Sequence, residues 1–147
     1  MMRVAVAAAV LLACASAEPL RAQWAVELAR DVSLRIGAPG AVPMAVPRGD
    51  SVSFPVPLPV GQPITLELIS HGSSSCTSPT SASVTQEDTL VTVVVLDSLR
   101  SGVCTMDYVA FPRTVEHVFP EAGEVHLRIV GRARDQVVRL TIGSSGG

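Results

Sequence analysis

Apolar and polar residues alternate with a period of two along much of the chain. Ile64, Leu66 and Leu68 alternate with Thr65 and Glu67, and Val125, Leu127 and Ile129 alternate with His126 and Arg128. A period of two puts successive side chains on opposite faces of a β-strand. Leu90 to Leu96 has Thr92 as its one polar residue, the run expected of a strand buried on both faces. Further strands are expected near 82–86, from Met106 to Phe111 with an end at Pro112, from Thr114 to Phe119, and from Gln136 to Ile142. Turns are expected over the Ser-rich stretch Gly72 to Ser78, from Asp97 to Gly102, and at Pro120-Glu121-Ala122-Gly123, where Pro presets φ and Gly accepts positive φ. Roughly seven or eight short strands with no long helix predict an all-β antiparallel sandwich. One parity of each strand supplies the expected core: Val52, Phe54, Val56, Leu66, Leu68, Val93, Val95, Leu127, Ile129, Val138 and Leu140.

Two stretches read less simply. Over residues 18–38, Trp24, Leu28 and Val32 recur at helical spacing, while Val32, Leu34 and Ile36 alternate as in a strand. Seven prolines between Pro39 and Pro63 exclude a helix there. Within that stretch Val52, Phe54, Val56, Leu58 and Val60 alternate with Ser53, Pro55, Pro57 and Pro59. Prolines two apart remove N–H donors from one edge and leave the other edge intact, which an edge strand tolerates. A polyproline linker is the competing reading. The expected organisation is a leader over 1–17, an irregular proline-containing lead-in over 18–50, the sandwich over 51–142 and a flexible tail over 143–147.

The first 17 residues carry one charge, Arg3, an apolar run from Val4 to Ala13, and Ala15-Ser16-Ala17 as a small-residue cleavage site. Together these predict a secretory signal peptide. The run is shorter than the roughly 20 residues that cross a bilayer, and no later segment is long and apolar enough for a transmembrane helix. Leu11-Leu12-Ala13-Cys14 is also similar to a bacterial lipobox, so lipidation of Cys14 competes with simple cleavage. Either route predicts export to the periplasm, cell envelope or exterior. The two remaining cysteines, Cys76 and Cys104, are an even number in an oxidising compartment and are expected to pair.

Charge and composition narrow the function. Hydrophobic residues make up 48% of the chain and charged residues 16%, too apolar for a disordered tail. A formal charge of −2 and an aromatic content of 3% give no basis for nucleic-acid binding. Cys104, Met106, His117 and His126 are the residue types of a copper site, but their order separates Cys from His by a strand. His117 and His126 are therefore weak metal candidates, and no cofactor is expected. Ser73-Ser74-Ser75 near His71 lacks the elbow that activates a nucleophile. Glu87-Asp88 is expected to splay from a turn, and Arg128, Arg132, Arg134 and Arg139 to form a solvated face.

Val115-Glu-His-Val-Phe119, Pro120-Glu-Ala-Gly123 and Glu124-Val-His-Leu-Arg-Ile-Val130 together resemble the late strands of bacterial immunoglobulin-like and PKD-like modules. Residues from Pro63 to Ile142 are similar to small exported bacterial proteins of that architecture. The resemblance implies an immunoglobulin-like fold and supplies no catalytic or ligand residue. The expected function is that of an exported, non-catalytic module that binds a partner protein or cell-surface component, or serves structurally. An envelope lipoprotein acting in assembly or transport, and a small metal-binding protein, are the alternatives.

Overall fold

A computed structural model describes residues 23–143. The expected signal peptide, Cys14 and residues 144–147 of the expected tail lie outside the described residues. The described residues form eleven strands: β1 Trp24–Leu28, β2 Ser33–Gly37, β3 Met44–Ala45, β4 Val52–Ser53, β5 Leu58–Pro59, β6 Pro63–Gly72, β7 Thr77–Glu87, β8 Leu90–Arg100, β9 Val109–Val118, β10 Gly123–Ile129 and β11 Gln136–Gly143. They make two sheets. In the first, β8 lies beside β7 on one edge; its other edge takes β10 along the first half and β1 along the second. β11 follows β10, and β4 and β5 pair with the far side of β11. The second sheet has the order β3-β2-β6-β9.

The core fills the space between the sheets from one parity of each strand. Ile64, Leu66 and Leu68 of β6 face Val91, Val93 and Val95 of β8 and Leu127 and Ile129 of β10, all buried in one cluster with Phe119. Nine of the eleven residues expected in the core are buried. The outer positions of β8, Thr92, Val94 and Leu96, are half-buried, so this strand alternates instead of being buried on both faces.

The first sheet is mixed, which corrects the expectation of a purely antiparallel sandwich: β10 runs parallel to β8, and β4 and β5 run parallel to β11. After β8 the chain crosses to the second sheet for β9 and crosses back for β10. Two crossings return it in the same sense, and the mixed pairing follows.

The prolines account for three further differences. β9 is one strand through Pro112, not two strands ending and restarting there. It is an edge strand, so the missing N–H points away from β6. β7 begins at Thr77 and carries Pro79 on the other long edge, with its pairing to β8 irregular between Pro79 and Ser81. The proline-alternating segment is attached to the sheet edge but broken. Phe54 and Val60 donate their N–H groups to Arg139 and Gly143 at 2.9 and 3.1 Å. From Ser53 to Leu58 the segment spends five steps, while its partner spends three from Arg139 to Ile142. The two extra residues bow outward at 54–57. Phe54 and Leu58 remain in the core, Val52 is half-buried, and Val56, expected inside, is 42% exposed.

The stretch expected as an irregular lead-in holds β1, β2 and β3, so both sheets begin before residue 51. β1 docks on β8 and β2 on β6. The chain switches sheets between them at Ala29–Val32, with Asp31 at φ 50°, a conformation Asp tolerates better than most residues. At the other end of the chain Gly143 closes β11 and does not begin a tail.

Candidate functional site

Both connections that carry the chain across from one sheet to the other around β7 and β8 lie at one end of the sandwich. Residues 73–76 join β6 to β7, and residues 101–108 join β8 to β9. The Cys76–Cys104 disulfide links the two, with Cα atoms 5.5 Å apart. The first connection is sharp: a Cβ on Gly72 would collide with Thr77. Hydroxyl groups fasten the loops further. Thr105 donates its N–H to Ser75 Oγ at 2.8 Å, Ser73 Oγ lies 2.7 Å from Thr105 Oγ1, and Ser74 donates its N–H to Asp107 Oδ1 at 3.0 Å. Hydrogen bonds from Ser74 and Thr105 hold the Asp107 carboxyl down at about 2. The triple serine is thus consumed in loop contacts, and His71 is turned elsewhere. Its Nδ1 lies 3.3 Å from the Asp31 carbonyl and its ring stacks on Tyr108 with centroids 4.9 Å apart. Tyr108 donates its hydroxyl to Asp31 Oδ2 at 3.2 Å. Desolvation, and then the Asp31 carboxylate, raise the Tyr108 phenol above its ordinary value.

Between these anchors the second loop projects outward. Val103 and Met106 are almost fully exposed, and Tyr108 is 66% exposed. A loop pinned by a covalent link and a hydroxyl network is a rigid platform for such side chains. Binding residues concentrate on loops held by rigid scaffolds for this reason.

Beneath the same end lies a buried ionic contact that the sequence reading missed by assigning Asp97 to a turn. Asp97 is 1% exposed and sits within β8. Arg113 of β9 donates to its carboxylate and to Ser70 Oγ of β6, and reaches the Leu96 carbonyl at 2.7 Å and that of Ser81 at 3.3 Å. One guanidinium so ties the two sheets together. Strand parity carried the signal. The core series 91, 93, 95 extended by two gives 97; the series 64, 66, 68 gives 70; and 113 shares its face with Val115.

The other sequence candidates are dispersed. His117 is half-buried on β9, its Nε2 2.7 Å from Gln86 Oε1 and its ring edge-on to Phe119. Burial pushes its pKa below the ordinary histidine value. His126 lies on the outer face of β10, 3.5 Å from Glu124. The two histidines belong to different sheets, Cys104 is in the disulfide, and Met106 points to solvent. Among the described residues no three His, Cys, Asp or Glu side chains converge as a metal site would need. Glu87 and Asp88 lie exposed at the β7–β8 hairpin, where Asp88 takes φ 52°. Arg128 and Arg139 are on the outer face of the first sheet, at distances of 3.8 Å from Asp135 and 3.2 Å from Ser53. Arg132 and Arg134 instead leave the sheet in the β10–β11 loop.

No protein-family model, curated protein or solved structure matches the chain.

Proposed function

We propose that the protein is an exported, non-catalytic β-sandwich module that binds a partner through the disulfide-pinned loops at one end. The observation that carries this reading is the exposed group Val103, Met106 and Tyr108 on a loop fastened by Cys76–Cys104. Leaving apolar groups in water gains the free monomer nothing, and ordering them in advance lowers the entropy cost of capture. Export is supported by the disulfide, which persists in oxidising compartments, and by the leader-like first 17 residues. Simple cleavage after Ala17 and lipidation at Cys14 both fit that route. An immunoglobulin-like architecture is supported by the two packed sheets. The parallel β8–β10 pairing and the placement of the disulfide between end loops depart from the antiparallel sheets and inter-sheet bridge of antibody domains. The likeness therefore extends to layers and not to strand order.

The test is photo-cross-linking in the intact native envelope, with a photoreactive residue at Met106 and, as control, at Thr85 on the outer face of β7. A discrete adduct formed from position 106 and absent from position 85 is expected. Equal labelling from both positions, or none from 106, contradicts the reading. Intact mass of the purified protein separates a cleaved chain from one lipidated at Cys14.

A further inference from the structure

We propose that a cleft between the β1–β2 bend and the β10–β11 loop binds an oxyanion, a carboxylate or phosphate group, carried on an apolar body. The inference goes beyond the loop-tip reading and does not rest on it. The cleft has a volume of about 390 Å³, within the range of small-molecule sites. Three segments distant in sequence wall it: Ala29–Val32, Arg48–Asp50 and Ile129–Arg134. Its inner wall is apolar, built from the buried side chains of Ala29, Val32 and Ile129.

Four arginines, Arg30, Arg48, Arg132 and Arg134, are among the residues that line the cleft. Four carboxylates accompany them: Asp31 and Asp50 in the lining, Glu27 beside the cleft, and Asp135, which accepts the Gly131 N–H at 3.1 Å and lies 3.8 Å from Arg128. With Arg128, the partner of Asp135, five guanidinium groups meet four carboxylates, one cation in excess within a chain of net charge −2. The pairing is uneven. Arg132 is bound to Glu27, and Arg134 lies 3.2 Å from Asp50. Arg48 donates only to neutral oxygens, Ser33 Oγ at 2.9 Å and the Asp31 carbonyl at 3.3 Å. Arg30 makes no hydrogen bond or ion pair with any described residue. The Asp31 carboxylate takes its hydrogen bond from Tyr108 and not from an arginine. Two guanidinium groups thus remain electrostatically available beside an apolar wall. The planar fork of arginine matches the oxygens of carboxylate and phosphate, and a poorly hydrated wall strengthens such a contact. A neutral ligand would leave these donors unused, and a cationic one would be repelled.

The purified protein is titrated with octanoate, octyl phosphate, octanol and octyltrimethylammonium, with amide NMR shifts as readout. Octanoate, octyl phosphate or both are expected to shift residues 29–32 and 130–134, and the responding probe identifies the oxyanion. Octanol and the cation should bind at least about tenfold more weakly, and combining Arg30→Gln with Arg48→Gln should weaken the anion about tenfold, the size of a lost charge-assisted hydrogen bond. Both side chains are on the surface, so an unchanged melting temperature verifies the fold. The proposal is overturned if octanol binds as well as the anions, if the double substitution leaves anion affinity intact, or if no probe shifts the cleft at about 10 mM, a limit corresponding to negligible affinity. Cross-linking at Met106 is unaffected by any of these results, so the two readings fail separately.

Discussion

Arg113 holds the two sheets together, and its removal should be among the most damaging single changes in the protein. Replacing it by Leu leaves Asp97, 1% exposed, without its counter-charge, and takes the donor from Ser70 and from the Leu96 and Ser81 carbonyls. Breaking a buried pair from one side costs about 3–5 kcal/mol, since an uncompensated charge stays in the interior. Against a typical total of about 5–15 kcal/mol this is a large fraction. For a domain of this size it corresponds to a fall in Tm of roughly 10–20 °C. Asp97→Leu should be costly for the reciprocal reason. The double variant Asp97→Leu, Arg113→Leu removes both charges. It should be better than the sum of the singles by at least about 1.5 kcal/mol. It should still fall short of the parent by about 1–3 kcal/mol, because the Leu96 carbonyl loses the Arg113 donor. Urea unfolding followed by circular dichroism measures all four corners of the cycle. Single variants costing under about 1 kcal/mol, or a strictly additive double variant, would falsify the assignment of this contact as a buried, coupled pair.

Three further outcomes are expected. Replacing Cys76 and Cys104 with Ser opens a link across 28 residues and should cost about 3–4 kcal/mol on the chain-entropy estimate, read as a lower urea midpoint in the non-reduced proteins. Leu58→Ala should cost about 2–5 kcal/mol while Val56→Asp stays mild, because the bow at 54–57 puts Leu58 in the core and Val56 in solvent; equal losses in thermal melts would mean that the segment is a regular strand. The folded pKa of Asp107, about 2, is below its unfolded value near 3.8. Its contribution to the loop contacts is therefore complete above that unfolded value and is lost as pH falls through about 2. The Ser74 amide shift should follow that titration, and Asp107→Asn should abolish it.

Period-two alternation made β6, β10 and β11 legible in the sequence, because each has one face against the core and one toward solvent. The pairing of Cys76 with Cys104 is expected from their even number beside a leader-like first segment. The proline rule also identified an edge segment correctly, since donors lost on one side leave the other side able to pair. Alternation assigns residues to faces but does not say which strand lies beside which. The parallel approach of β10 to β8 depends on an excursion through the other sheet, and no local pattern encodes it. The bow at Val56 depends on a three-residue partner span in β11 meeting a five-residue span, a property of the pair. By sequence Asp97 is assigned to a turn; an isolated carboxylate is costly to bury, and only the arrival of Arg113 and Ser70 from the opposite sheet removes that cost. The cleft was likewise beyond the sequence. Arg30, Arg48, Arg132 and Arg134 come from three segments that meet only after the chain switches sheets at Asp31, so tertiary structure alone decides that their charges share one wall.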